Sequence, residues 1–176
     1  MRYPHPIRAL LLAAALTMAA SAAASDFEML MVEVSFNGSD DASYQAFDLD
    51  GYSTDGDGYF VLGNSGVSPT PDVTFSNNTL QNGADAVAVY AGDAADFPSS
   101  TALTTDDLVD AIVYDTDDGD DAGLLALLNA GQPQVNENGA GDKDNHSNQR
   151  CPNGAGGALN TDTYTQTVPT PSAANF

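Results

Sequence analysis

Two short apolar runs, residues 59–62 (Tyr-Phe-Val-Leu) and 86–90 (Ala-Val-Ala-Val-Tyr), limit what this chain can fold into. Both are rich in aromatic and β-branched residues, and both are bounded by Gly, Asn and Asp. That pattern belongs to β-strands between tight turns, because the runs are too short for helices and their ends are turn formers. Other segments of the same kind surround them. Residues 28–36 and 44–49 are apolar with partial alternation, the latter placing Tyr44, Ala46 or Phe47, and Leu49 inward. Between them Asn37-Gly38 is a strong hairpin turn signal. Residues 73–75 fit a short strand, residues 108–114 (Leu-Val-Asp-Ala-Ile-Val-Tyr) a core strand, and residues 164–168 a closing strand.

Helix signals occur in one place. Leu124, Leu125, Leu127 and Leu128 follow Asp N-cap residues and precede Gly131, which predicts a helix of two or three turns over residues 122–129, lying as a lid on the β core. Residues 132–158 read as loop. The expected fold class is all-β, an immunoglobulin-like β-sandwich with this one short helix.

The acids support that reading. Of 25 acidic residues only Glu28, Glu33 and Glu137 are glutamates. Aspartate bonds its own backbone and favours turns and caps, whereas glutamate favours helix. The whole chain carries a formal charge of −21.

Residues 1–24 read as a signal peptide: Arg2 and Arg8, an apolar stretch, then Ala22-Ala23-Ala24 as a cleavage site. The apolar stretch is shorter than the roughly 20 residues a membrane span requires. The expectation is export, to a secreted or periplasmic location, with residues 25–176 as one domain and no membrane span after cleavage. The exported part then sets 25 acids against Lys143 and Arg150 alone. Such a surface repels phosphate backbones, so direct nucleic-acid binding is not expected. Cys151 is the single cysteine, which rules out an intrachain disulfide.

Reactive motifs are weak. Gly63-Asn64-Ser65-Gly66 has a partial likeness to a serine nucleophile loop, but the nucleophile elbow requires Gly where Val67 stands. His146 is the sole histidine after the signal segment and lies in a polar Asp/Asn stretch. One Cys and one His do not make a zinc site. Three acidic groups are candidate calcium loops: Asp48, Asp50, Asp55 and Asp57; Asp115, Asp117, Asp118, Asp120 and Asp121; and Asp142 and Asp144 with Asn145. None has the terminal Glu of the twelve-residue calcium loop, and solvated turn aspartates are the alternative. Asn77-Asn78-Thr79 and Asn145-His146-Ser147 fit the glycosylation acceptor pattern, which matters only in a eukaryotic secretory route. No catalytic, cofactor-binding or metal residue is assigned.

Residues 57–62 (Asp-Gly-Tyr-Phe-Val-Leu), 80–90 (Leu-Gln-Asn-Gly-Ala-Asp-Ala-Val-Ala-Val-Tyr) and 108–114 succeed one another at intervals seen in lamin-tail domains. So do Ser147-Asn148-Gln149-Arg150 before a Gly-rich turn and the ending Thr170-Pro171-Ser172-Ala173-Ala174-Asn175. Over residues 34–175 the chain resembles the bacterial, secreted form of that family. The resemblance implies an immunoglobulin-like sandwich that serves in binding or attachment, often joined to extracellular endonucleases or phosphatases, with no catalytic residues of its own. A protein or cell-surface partner, or a secreted nuclease, is therefore the expected partner. The family opens with one or two strands that this sequence lacks. Such a gap is filled by self-association or a partner strand, or marks a shortened derivative.

Overall fold

The computed structural model describes residues 32–175. Nine strands follow in order: β1 Val32–Asn37, β2 Ala42–Asp48, β3 Leu62–Asn64, β4 Val73–Phe75, β5 Asp85–Tyr90, β6 Leu108–Asp115, β7 Val135–Asn136, β8 Ser147–Arg150 and β9 Tyr164–Thr167. β1, β2, β5, β6 and β7 form one sheet in the order β2-β1-β5-β6-β7, while β3-β4 and β8-β9 are separate two-stranded pairs. The protein is all-β. Among the described residues no helix is long and apolar enough to cross a membrane.

Register explains the layering. β1 pairs antiparallel with β2 and β5, and β5 pairs antiparallel with β6. One face of this sheet carries Val32, Val34 and Phe36 of β1, Ala86, Ala88 and Tyr90 of β5, and Ala111 and Val113 of β6. Phe97, Leu124, Leu127 and Leu128 from the connections cover it, so the leucines lie on the core as expected. The opposite face carries Val87, Ile112 and Tyr114, packed with Val135, Leu80 and Tyr164. Phe47 of β2 meets Phe75 of β4 on that side, with ring centroids 5.6 Å apart. The strand pairs β3-β4 and β8-β9 thus contribute a second layer. Side chains alternate between faces with period two, so both faces of β1 and β5 can be buried at once.

The open side of β2 is partly closed. Ser43 N donates to Thr101 O at 2.8 Å and Ser100 N to Ser43 O at 2.7 Å. Further along, Gln45 Nε2 donates to the Ala46 carbonyl at 3.1 Å. At the other end of the sheet β7 has only two residues. Short or covered edges limit unwanted strand pairing.

The departures from expectation have local causes. The strand expected at 59–62 begins only at Leu62 and runs to Asn64. Asp55 Oδ1 accepts from Tyr59 N at 2.8 Å, and Asp72 Oδ2 accepts from Val61 N at 2.7 Å. Side-chain acceptors have captured backbone donors that a ladder would use. The helix expected at 122–129 is a four-residue 3-10 turn, Leu124–Leu127. Asp121 Oδ1 caps it, accepting from Gly123 N and Leu124 N, and Leu128 is already extended. A second 3-10 turn, Ala94–Asp96, was not expected; Asp93 and Asp96 cap it reciprocally. Residues 132–158 hold β7 and β8 rather than loop alone. Residues 28–31 of the first expected strand, and the signal segment, lie outside the described residues.

The Asn37-Gly38 hairpin turn forms as expected, and Gly38 N donates to Ala84 O at 2.9 Å. A Cβ at Gly38 would stand 2.5 Å from Ala84 O and 2.8 Å from Asp121 Oδ2. The first of these is backbone and cannot swing away. Gly38→Ala is expected to lower stability by about 1–3 kcal/mol, read as a lower urea midpoint with an unchanged slope.

Candidate functional site

An open cleft of about 580 Å³ lies between edge strand β2 and the β3-β4 layer. Gln45 and Phe47 of β2, Ser65, Thr74 and Phe75 with Ser76, and Asn77 and Thr79 line it. β2 presents Gln45 and Phe47 to this side because they stand opposite Ser35 and Glu33, on the face turned to the second layer. Ser65 is held by a tight turn: Asn64 Oδ1 accepts from Gly66 N at 2.9 Å, and Val67 N donates to Asn64 O at 3.1 Å. That turn is what the Gly63–Gly66 stretch forms. After β4 the chain turns at Asn78, whose φ is +64°, and Thr79 Oγ1 donates to Ser76 O at 2.8 Å. Phe47 and Phe75 are both half-buried, so part of each ring borders the cleft. The lining contains hydroxyls, amides and two aromatic rings, and no ionisable group. It can hold a neutral, hydrogen-bonding ligand against an apolar floor.

The carboxylates are arranged differently from what their spacing suggested. In the first group, Asp55 Oδ1 accepts from Asp57 N and Tyr59 N and forms a turn, while Asp48 and Asp50 come together with Asp93. One oxygen from each of these three lies within 4.8 Å of the others, and all three residues are exposed. Asp93 reaches this position from the loop after β5, which no linear pattern reveals. In the second group, Asp115 accepts from Asp118 N and Gln134 Nε2, Asp117 from Asn136 and Asn138, and Asp121 from its own turn. Amide donors hold the Asp117 carboxyl below its ordinary range. In the third, Asp142 Oδ1 accepts from Asn145 Nδ2 at 2.7 Å. Asp48, Asp55, Asp115, Asp121 and Asp142 thus serve the turns that carry them, while Asp117 ties its turn to the one after β7.

His146 has Asp142 as its acidic neighbour, Nε2 to Oδ2 at 3.9 Å. Its Nδ1 is buried without a hydrogen-bond partner.

Two buried features between the layers escaped sequence reasoning. Arg150 of β8 makes a bidentate pair with Asp110 of β6, at 2.5 and 2.7 Å, and its guanidinium lies 5.2 Å from the Tyr164 ring centre. Burial pulls the guanidinium down, but the Asp110 hydrogen bonds and charge hold it above its ordinary range. Glu33 of β1 is buried between Phe47 and Val89 in register, and Ser35 Oγ donates to its Oε1 at 3.1 Å. Desolvation pushes the Glu33 carboxyl up to about 8, so it is largely protonated at neutral pH. Burial likewise raises Asp85 to about 7. An isolated Glu inside an apolar run carries no sequence signal of this kind, since the shift depends on what the second layer covers.

Comparison of the chain with protein-family models, with curated proteins and with solved structures gave no match.

Proposed function

We propose that this chain is a secreted, non-catalytic β-sandwich module, of the lamin-tail type its sequence runs resemble, that binds or attaches at the cell exterior. The carrying observation is the β2–β4 cleft: polar side chains and two aromatic rings gathered on a paired-strand framework, with no titratable group in the lining. A binding surface needs that arrangement, whereas acid–base or nucleophilic chemistry needs titratable groups within reach of the ligand. The test is direct. Purified chain, mixed with cell envelopes of the producing organism, is expected to sediment with them and to hydrolyse neither p-nitrophenyl acetate nor bis(p-nitrophenyl) phosphate above background. Turnover of either substrate overturns the reading.

The convergence of Asp48, Asp50 and Asp93 favours a second role, stabilisation by calcium. Carboxylate oxygens from two loops would be joined by a hard cation that prefers oxygen ligands. A ligand that binds only the folded state stabilises it by about 2.7 kcal/mol at a hundred times its Kd. Millimolar calcium is therefore expected to raise Tm by several degrees, and Asp50→Asn with Asp93→Asn to abolish the rise. A flat titration removes this role.

A further inference from the structure

We propose that the cleft between β2 and β4 is a subsite for a neutral carbohydrate chain, held by the hydroxyls and amides of its lining and by contact with the Phe47–Phe75 pair; this rests on the attachment reading above.

Charge selects the ligand class first. The chain carries 25 acidic residues, yet none of the cleft's lining residues is ionisable. Anionic ligands are recognised through Arg or Lys, which the lining lacks. A cationic ligand would be drawn instead to the carboxylate-rich turns, such as Asp48, Asp50 and Asp93. A neutral ligand is what this surface does not penalise.

Hydrogen-bonding capacity comes next. The side chains of Ser65, Thr74, Ser76 and Asn77 make no hydrogen bond to other described residues. Hydroxyls donate and accept, and an amide does both at fixed positions. That mixture matches the vicinal hydroxyls of a sugar, each of which also donates and accepts.

The floor supplies the remaining contact. Phe47 and Phe75 come from different layers and tilt at 36° to one another. The C–H face of a pyranose is apolar and gains from covering such rings.

Geometry separates a glycan from a peptide strand. A peptide adding to β2 would pair with its outer backbone groups. The Ser43 groups are already bonded to Ser100 and Thr101, and the Ala46 carbonyl accepts from Gln45 Nε2. Side-chain recognition in the cleft remains, and its openness to solvent suits a polymer passing through rather than an enclosed small molecule. The volume lies within the range of ligand clefts, roughly 300–1,000 Å³.

The test is amide-resolved NMR of the purified chain titrated separately with cellohexaose, maltohexaose, mannohexaose and chitohexaose, and with hexagalacturonate as the charged counterpart. At least one neutral probe is expected to shift the amides of Gln45, Phe47 and residues 74–77, while hexagalacturonate leaves them unmoved. Phe75→Ala is expected to weaken binding by about tenfold. Because that variant removes a packed ring, the exposed Asn77→Asp serves as the second: it is expected to weaken binding without altering Tm. Silence from every neutral hexasaccharide at about 10 mM, a weak-binding ceiling, overturns the proposal, as do equal shifts from hexagalacturonate or indifference to Asn77→Asp. Envelope co-sedimentation distinguishes the two readings. If it persists in Asn77→Asp while no glycan moves the cleft amides, the carbohydrate subsite falls and attachment stands; turnover of the ester substrates fells attachment itself.

Discussion

Replacing Arg150 with methionine is expected to lower the unfolding free energy by about 3–5 kcal/mol, because it strands the Asp110 carboxylate inside the protein. The pair is bidentate, at 2.5 and 2.7 Å, and both residues are under a tenth exposed. Asp110 Oδ1 also accepts from Ala111 N and Leu159 N, both at 2.8 Å. Those two donors would remain, but no cation would. The reverse change, Asp110→Leu, strands the guanidinium, orphans Leu159 N–H and is expected to cost as much. Changed together, the two residues should cost clearly less than the sum of the single effects, because a buried ion pair and an apolar pair of similar volume are often close in free energy. Urea denaturation of the four proteins measures the cycle. Additive losses would mean that the two groups act independently and that the pairing contributes nothing. Since β8 and β6 belong to different sheets, the cycle also measures how firmly the layers are joined.

Glu33→Gln is expected to change the pH dependence of stability as much as the ion pair changes its level. The folded-state carboxyl titrates near 8 against an ordinary value of 4.5, because burial penalises its charge. Between those values the folded protein holds a proton that the unfolded chain has released. Stability therefore falls as pH rises from about 4.5 to about 8 and levels off above. Each unit is worth about 1.36 kcal/mol, so the loss attributable to this residue amounts to several kcal/mol by pH 8. The amide keeps the shape and never ionises. The variant should match the wild type near pH 5, exceed it at pH 8, lose about half of the slope up to pH 7 and lose the rest above it. Asp85, raised to about 7 by burial, holds one extra proton over the lower part of the window, and the slope that remains there is its own. Parallel wild-type and variant curves across pH 5–8 would place Glu33 in contact with water and end the argument.

Much of the scaffold is legible in residues 42–48, 85–90 and 108–115, where alternation and β-branched content coincide with observed strands. Local chemistry overrode pattern where aspartates competed for backbone donors, as at Tyr59 and Val61. β8 is the clearest omission. Ser147, Asn148, Gln149 and Arg150 carry no apolar side chain, yet all four are buried. Their burial is sustained by partners far along the chain: Asp110 for Arg150, Gln166 for Asn148, and the carbonyl of Val168 for Gln149. A hydrophobicity pattern is blind to such a strand because hydrogen bonds and an ion pair to distant partners, not apolar area, hold it inside, even though Asn148 Nδ2 and Arg150 Nε are left without a partner. The cleft was equally hidden. Its residues come from β2, from the turn after β3 and from β4 with its following turn; the weak motifs that contain Ser65, Asn77 and Thr79 say nothing of their meeting beside Gln45 and Phe47.

By itself the sequence determined the class of structure. Period-two apolar runs bounded by Asn, Asp and Gly can bury their side chains only as strands, and an excess of aspartate over glutamate commits the connections to turns. Tertiary structure alone decided which polar groups went inside and which were left facing the cleft. Burial, the matching of Arg150 to Asp110 and the raised proton affinity of Glu33 are properties of the space between two layers. That space exists only once segments distant along the chain have been brought face to face.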